Sequence, residues 1–236
     1  TRAFAQHAPG KTVFFSRLSP RSGDVFFADG MISVRSGDSV RPVLSANEIA
    51  IPGVHNIENY MAAVAAVEGL VSDEVIREVA ASFSGVEHRI ELVREVHGVK
   101  YYNDSIASSP TRTIAGLRSF RQKVILIAGG KDKNIDYTPL GPEIVQHVRF
   151  LILTGGDVIG STVPKICAAV LNVPDYDSTA LPIVLIDDFE EAVRAAAAQA
   201  GEGDVVLLSP ASTSFDKFSN FMERGKTFKS VVNHLE

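Results

Sequence analysis

Apolar residues fall along this chain in two rhythms. From Val124 onward, unbroken apolar runs at Val124–Ala128, 150–153, 183–186 and Val205–Leu208 are separated by stretches whose apolar residues recur every three or four positions. Runs this short and continuous predict strands, buried ones at Val124–Ala128 and Val205–Leu208. The longer spacing predicts helices over 143–147, 165–170 and Phe189–Gln199. Strands separated by helices predict an α/β domain with a mostly parallel sheet and right-handed crossovers, whose ligands gather at the carboxyl ends of the strands. The polar clusters fall at those ends: Asp104 to Ser109, Gly129 to Asn134, Gly155-Gly156, and Ser212 to Ser214.

The earlier part of the chain reads differently. Short β-prone pieces at 13–15, Val25–Ala28 and 32–34 are punctuated by Gly23-Asp24 and Asp29-Gly30, the latter a strong hairpin turn. A Pro/Gly turn, Ile51-Pro52-Gly53, leads into a helix with Ile57, Met61, Val64, Val67 and Leu70 on its inner face. A second helix, capped by Ser72, carries Val75, Ile76, Val79 and Phe83. Phe83-Ser84-Gly85 reads as a join between two domains, 1–86 and 87–236. A hairpin follows, 90–96 with 99–102, turning at His97-Gly98. Ser109 as cap and Pro110 at the first helical position start a helix with Ile114, Leu117 and Phe120 inward. After the last strand, Thr213 with Asp216 fits a helix-start box, and Phe215, Phe218, Phe221, Met222, Phe228, Val231, Val232 and Leu235 predict the buried face.

Composition narrows the function. A net charge of −5 argues against a broad nucleic-acid surface but leaves room for a local anion site. A lone cysteine, Cys167, rules out an internal disulfide and suits a reducing compartment. No apolar run reaches transmembrane length, and no signal peptide opens the chain. Thr1 enters without a start signal, which suggests a piece of a longer protein.

The candidate chemistry is anion binding. Six histidines are scattered, and neither a catalytic triad nor a metal-ligand cluster stands out. Ala5 to Thr12, AQHAPGKT, matches a relaxed phosphate-loop pattern, but no good strand precedes it and a strand-like Val13-Phe14-Phe15 follows it. Lys133 offers a point charge in a Gly-rich loop, and Arg89 a planar fork. Ser108 and Ser214 offer hydroxyls near helix starts, and Asp104 suits ribose hydroxyls or a cation. Each also has an ordinary structural reading: a solvated lysine, capping serines, and Asn56 or Asn59 as a helix cap.

In combination these residues are more specific. Ser209-Pro210, then Ser214, Asp216, Phe218, Asn220, Phe221, Arg224 and Gly225, together with Gly53-x-His55-Asn56-x-x-Asn59, His88-Arg89, Asn103-Asp104-Ser105 and Gly129-Gly130-x-x-Lys133, resemble the signature of the D-glutamate-adding Mur ligases of bacterial cell-wall synthesis. The resemblance implies a Rossmann-like C-terminal domain at 87–236 that binds the amino acid and closes over ATP. It makes 1–86 the tail of a central ATP-binding domain. It implies nucleotide contacts at Asn59, Arg89 and Asp104, and D-glutamate contacts at Lys133, Ser108, Ser214, Phe215 and Phe221. The implied enzyme is cytoplasmic and monomeric, uses ATP and Mg²⁺, and forms an amide between UDP-N-acetylmuramoyl-L-alanine and D-glutamate through an acyl phosphate. Two positions depart from the pattern: Ile106 stands where the family commonly has Lys, and Ser108 where it has Thr. The family's UDP-sugar domain, its phosphate loop and its metal-bearing residues have no counterpart here, so this chain alone is expected to be inactive. A sibling Mur ligase, a folylpolyglutamate synthase-like ligase, and a non-catalytic nucleotide- or amino-acid-binding module of the same fold remain alternatives.

Overall fold

The computed structural model describes residues 2–51, 53–155 and 160–236. Pro52 and Gly156, expected in a turn and at a strand end, lie outside the described residues. The chain divides into two compact units, Thr1–Ser84 and Gly85–Glu236. Among the described residues no helix is long and apolar enough to cross a membrane.

In the first unit a short helix, α1 (Arg2–Ala5), precedes a four-stranded sheet. Its strands β1 (Phe15–Ser16), β2 (Val25–Ala28), β3 (Met31–Ser36) and β4 (Ser39–Ser45) lie in chain order, with β1 parallel to β2 and the rest antiparallel. Asp29 (φ 49°) and Gly30 (φ 77°) make the expected two-residue turn between β2 and β3, since a tight hairpin needs positive φ at both positions. The phosphate-loop match lacks its context, with a helix before it and no helix opening after Thr12.

Helices α2 (Val54–Val67) and α3 (Asp73–Ser82) cover this sheet and bury Tyr60, Met61, Val64, Ile76 and Ala80 against Val25, Ile32, Val34, Val43 and Leu44. Two expectations need correction. Leu70 lies beyond the end of α2 and is 78 % exposed. Val75, Val79 and Phe83 are also exposed, because α3 meets the sheet along the Ile76–Ala80 line.

The second unit is a three-layer sandwich. Its strands are β5 (Glu91–Val96), β6 (Val99–Asn103), β7 (Val124–Ala128), β8 (Val148–Leu153), β9 (Ile183–Leu185) and β10 (Val205–Leu208), in the order β5-β6-β10-β7-β8-β9. All neighbours run parallel except β5 and β6, which form the hairpin at His97-Gly98. Helices α4 (Pro110–Leu117), α5 (Leu140–His147) and α6 (Val163–Leu171) pack on one face, where Val124, Leu126, Leu151, Leu153, Val205 and Leu207 point. Helices α7 (Phe189–Gln199) and α8 (Phe221–Asn233) pack on the other, against Ile125, Ile127, Ile152, Val206 and Leu208. The chain steps outward from β7 to β9 and then returns to place β10 between β6 and β7. Right-handed crossovers put the helix of a reversed step on the opposite face.

The last helix starts later than its pattern predicts. Asn220 is its N-cap, accepting from the Glu223 N–H at 2.9 Å. Thr213 does not cap it, being held in a two-way backbone bridge with Lys131. Phe215 therefore stands outside the helix and is 63 % exposed. Ser109 occupies the N-cap position of α4, but its hydroxyl meets Thr111 Oγ1 rather than a backbone N–H.

Packing between α5 and α6 leaves no room for a side chain at Gly141, where a Cβ would lie 2.0 Å from the Ala169 carbonyl oxygen. Gly141→Ala should destabilise the second unit by about 3 kcal/mol in urea denaturation, as overpacking of a tight contact does. Gly10→Ala, with nothing within 4 Å of the added carbon, should stay within about 0.5 kcal/mol. Equal midpoints for the two variants would show that the helices separate freely.

Candidate functional site

The carboxyl ends of β6, β7 and β10 carry loops that bind one another before they could bind anything else. Gly129 N–H donates to the Pro210 carbonyl at 2.9 Å, and Lys131 and Thr213 exchange backbone hydrogen bonds at 3.0 and 3.2 Å. Thr213 Oγ1 adds a bond to the Lys131 carbonyl, and Thr162 Oγ1 reaches both the Gly130 carbonyl and Ser212 Oγ. Glycine is required at Gly130: its φ is 139°, and a Cβ would sit 2.3 Å from the Thr213 carbonyl oxygen. Ala211 takes a left-handed φ of 57°, and the buried Tyr137 hydroxyl donates to its carbonyl at 3.1 Å.

Arg224, on the first turn of α8, ties this assembly to the β6 loop. It is 2 % exposed. Its Nε donates to Ser105 Oγ at 3.0 Å, and one terminal nitrogen donates to the carbonyls of Ser105 and Ser212 at 2.9 and 3.1 Å. Ser105 Oγ in turn donates to the Phe221 carbonyl at 2.7 Å. Burial lowers the guanidinium pKa to about 10, against the opposing charge of Asp216, so it stays protonated at neutral pH.

Asp104 lies at the end of β6, 4 % exposed. Its Oδ2 accepts from Ser209 Oγ at 2.7 Å and its Oδ1 from the Ile90 N–H at 3.3 Å. Burial raises its carboxyl to about 7, and those two hydrogen bonds with the charges of Arg89 and Arg112 pull the other way. Arg89 is half-buried, and its guanidinium donates no hydrogen bond among the described residues.

The expected D-glutamate residues are partly gathered. Lys133 Nζ donates to Ser108 Oγ at 3.1 Å across two separate loops. Ser214 is buried in the β10 loop, where its carbonyl closes a turn onto the N–H groups of Lys217 and Phe218 rather than starting a helix. Phe221 opens α8 and meets the His88 ring edge-on at 6.0 Å. Phe215 points into solvent. Asn59 sits on α2 of the first unit, exposed, donating to Asn56 Oδ1 at 3.2 Å.

Several residues that organise the site have no functional reading in the sequence, among them Tyr137 and Thr162. The polar run Asn103-Asp104-Ser105 directly after an apolar strand was the available signal for the β6 loop. Glu87, His88 and Glu91 form a group with the spacing of cation ligands. Lys229 Nζ already lies against both carboxylates, so an ammonium takes the place of a metal.

A family model described as Mur ligase, glutamate ligase domain matches residues 88–212. The chain belongs to the Mur ligase family. It is 52 % identical over 238 residues to the UDP-N-acetylmuramoylalanine--D-glutamate ligase of Acetivibrio thermocellus, and 49 % over 239 residues to the protein of that name from Ruminiclostridium cellulolyticum. Each match covers 100 % of this chain and 50 % of the relative, so the chain spans about half the length of the curated relatives it matches. Its fold is similar to that of the UDP-N-acetylmuramoylalanyl-D-glutamyl-2,6-diaminopimelate--D-alanyl-D-alanyl ligase of Acinetobacter baumannii, with a TM-score of 0.66 at 16 % identity over 100 % of this chain and 49 % of that one. The six-stranded, mostly parallel sheet is thus that of a Mur ligase.

The raised carboxyl of Asp104 makes stability depend on pH. An unfolded Asp ionises near pH 4, whereas this one keeps its proton to about 7. Across that window the folded Asp104 carboxyl holds more of its proton than the unfolded one, so its own contribution to stability is greatest below about pH 4 and is lost as pH rises to about 7. Asp104→Asn can donate to Ser209 Oγ and accept from the Ile90 N–H, and has no such titration. The stability of wild type relative to Asp104→Asn should fall by roughly 2–4 kcal/mol between about pH 4 and 7, read from urea midpoints. A difference that stays flat would return Asp104 to the ordinary carboxylate range.

Proposed function

We propose that this chain is the amino-acid-binding half of an ATP-dependent, cytoplasmic ligase that joins D-glutamate to UDP-N-acetylmuramoyl-L-alanine in peptidoglycan synthesis. The observation that carries the reading is the contact of Lys133 Nζ with Ser108 Oγ. It sets an ammonium beside a hydroxyl at the edge where sheets of this class bind ligands. The family match and the names of the half-matched relatives support it.

D-Glutamate brings two carboxylates and an amine. Lys133 and Ser108 take one carboxylate, Ser214 the other, and Phe221 and Phe215 flank the aliphatic stem. In the second unit the Arg89 fork serves the nucleotide, with the Asp104 carboxyl as its buried charge partner; residues 1–84 are part of an ATP-binding domain in which Asn59 is a nucleotide contact. ATP with Mg²⁺ supplies the phosphoryl group that activates the muramoyl-alanine carboxylate as an acyl phosphate. The D-glutamate amine then forms the amide as phosphate leaves and the amine proton passes to solvent. This chain's part is to hold that amine in place. The Glu87–His88–Glu91 group does not fit the metal, since Lys229 occupies it.

Charge-assisted contacts contribute about 1.5–3 kcal/mol each, which is roughly ten- to hundredfold in affinity. In the enzyme at its relatives' full length, Lys133→Ala should raise the KM for D-glutamate at least about tenfold and leave the KM for ATP nearly unchanged. Lys133→Arg should recover little, because a planar fork does not replace a compact ammonium. An unchanged glutamate KM would remove Lys133 from the site, and ligation of a different amino acid in its place would favour a sibling ligase.

A further inference from the structure

The turn before β5 holds two side-chain-bearing residues in the left-handed region, His88 at φ 66° and Ile90 at φ 47°. A β-branched residue rarely adopts that backbone, and such strain persists only where the surroundings enforce it. Between the two stands Arg89, whose guanidinium donates no hydrogen bond among the described residues. The enforcement comes from the ring of His88, 3 % exposed. The ring lies so close to α8 that a Cβ on Gly225 would come within 2.2 Å of Nδ1. It faces Phe221 on one side, and Asn103 Nδ2 approaches Nδ1 at 2.8 Å.

The role of Nδ1 in that contact is not free. Asn103 Oδ1 accepts from the Ser105 N–H at 3.1 Å, while Nδ2 also faces Glu91 Oε2 at 3.2 Å and the Gly225 carbonyl at 3.4 Å. A backbone N–H can only donate and a carbonyl oxygen can only accept. Turning the amide over would set donor against donor at Ser105 and acceptor against acceptor at Gly225 and Glu91. The amide nitrogen therefore faces the ring, and Nδ1 must accept. The ring proton sits on Nε2, 3.8 Å from Glu87 Oε1. The His88 N–H to Glu91 Oε2 and the Ile106 N–H to the His88 carbonyl, at 2.9 and 3.2 Å, pin the same residue by its backbone.

We propose that Asn103 is a positioning residue: its amide holds His88 as the Nε2–H tautomer, and the locked ring fixes the strained turn that presents Arg89 to a phosphate-bearing ligand. The tautomer follows from hydrogen-bonding roles alone, whereas the presentation of Arg89 rests on the nucleotide reading above.

The first measurement is nitrogen NMR of the histidine-labelled 236-residue chain. Wild type should show an unprotonated Nδ1 and a protonated Nε2 at His88. Asn103→Asp puts an acceptor against Nδ1 and should move a proton onto it. A wild-type ring protonated on Nδ1 overturns the proposal, as does an Asn103→Asp ring whose Nδ1 stays bare. If that variant does not fold, Asn103→Ala takes its place. Its ring, freed of the donor, should average between tautomers, and a ring that keeps the single Nε2–H form overturns the role of Asn103.

The second measurement is steady-state kinetics of the enzyme at its relatives' full length. Asn103→Ala should raise the KM for ATP about tenfold and leave that for D-glutamate within about twofold. Arg89→Ala is run beside it. If Arg89→Ala raises the KM for ATP and Asn103→Ala does not, Asn103 does not position Arg89. If Arg89→Ala leaves the KM for ATP unchanged, the nucleotide reading of Arg89 fails, and the positioning is judged on the ring tautomer.

Discussion

A buried guanidinium holds the carboxyl edge of the second sheet together. Among the described residues Arg224 forms no ion pair; the charge of Asp216 acts on it, and its hydrogen bonds go to Ser105 Oγ and the carbonyls of Ser105 and Ser212. Burying a charge without such partners costs several kcal/mol. The loops that supply those oxygens are therefore constrained to stay where they are. They belong to β6 and β10, whose strands are neighbours in the sheet although about a hundred residues separate them in sequence. The β7 loop joins through the Lys131–Thr213 exchange.

That arrangement decides the electrostatics of the edge. Asp132 is matched by Lys165, and Glu87 and Glu91 by Lys229. Asp104 is buried and holds its proton to about 7. Arg224 remains charged inside, while Lys133 contacts a neutral hydroxyl and the Arg89 guanidinium donates no hydrogen bond among the described residues. Lys133 and Arg89 form no ion pair among the described residues, so both can meet ligands that bring carboxylates and phosphates.

The strain at this edge has a common source. His88, Ile90 and Ala211 all take left-handed backbone without being glycine. Each is held by a side chain from elsewhere or by its neighbours: the His88 ring by Asn103, and the Ala211 carbonyl by Tyr137. Where even that would not suffice, glycine appears, at Gly130 and at Gly225, because another backbone or ring occupies the volume of a side chain.

Much of this was legible in the sequence. The alternation of apolar runs and helical spacing marked β7, β8 and β10, because a strand buried in the middle of a sheet has no polar side to show, and it marked β9 as well, although that strand lies at the sheet edge with Leu185 exposed. The turns at Asp29-Gly30 and His97-Gly98 were local, set by residues that tolerate positive φ. The motif residues Lys133 and Ser108 were named from the chain, and their meeting rests on loops the strand ends bring together. Periodicity records which face of a helix is apolar but not what covers it, so Val75, Val79 and Phe83 were assigned inward and stand exposed. Local capping rules placed the start of α8 at Thr213, but Lys131, some eighty residues away, claims that backbone. The insertion of β10 between β6 and β7, the burial of Asp104 and Arg224, and the ring proton of His88 were decided by tertiary structure alone. Each depends on partners distant in sequence, and hydrogen-bonding roles and desolvation act only once those partners have met.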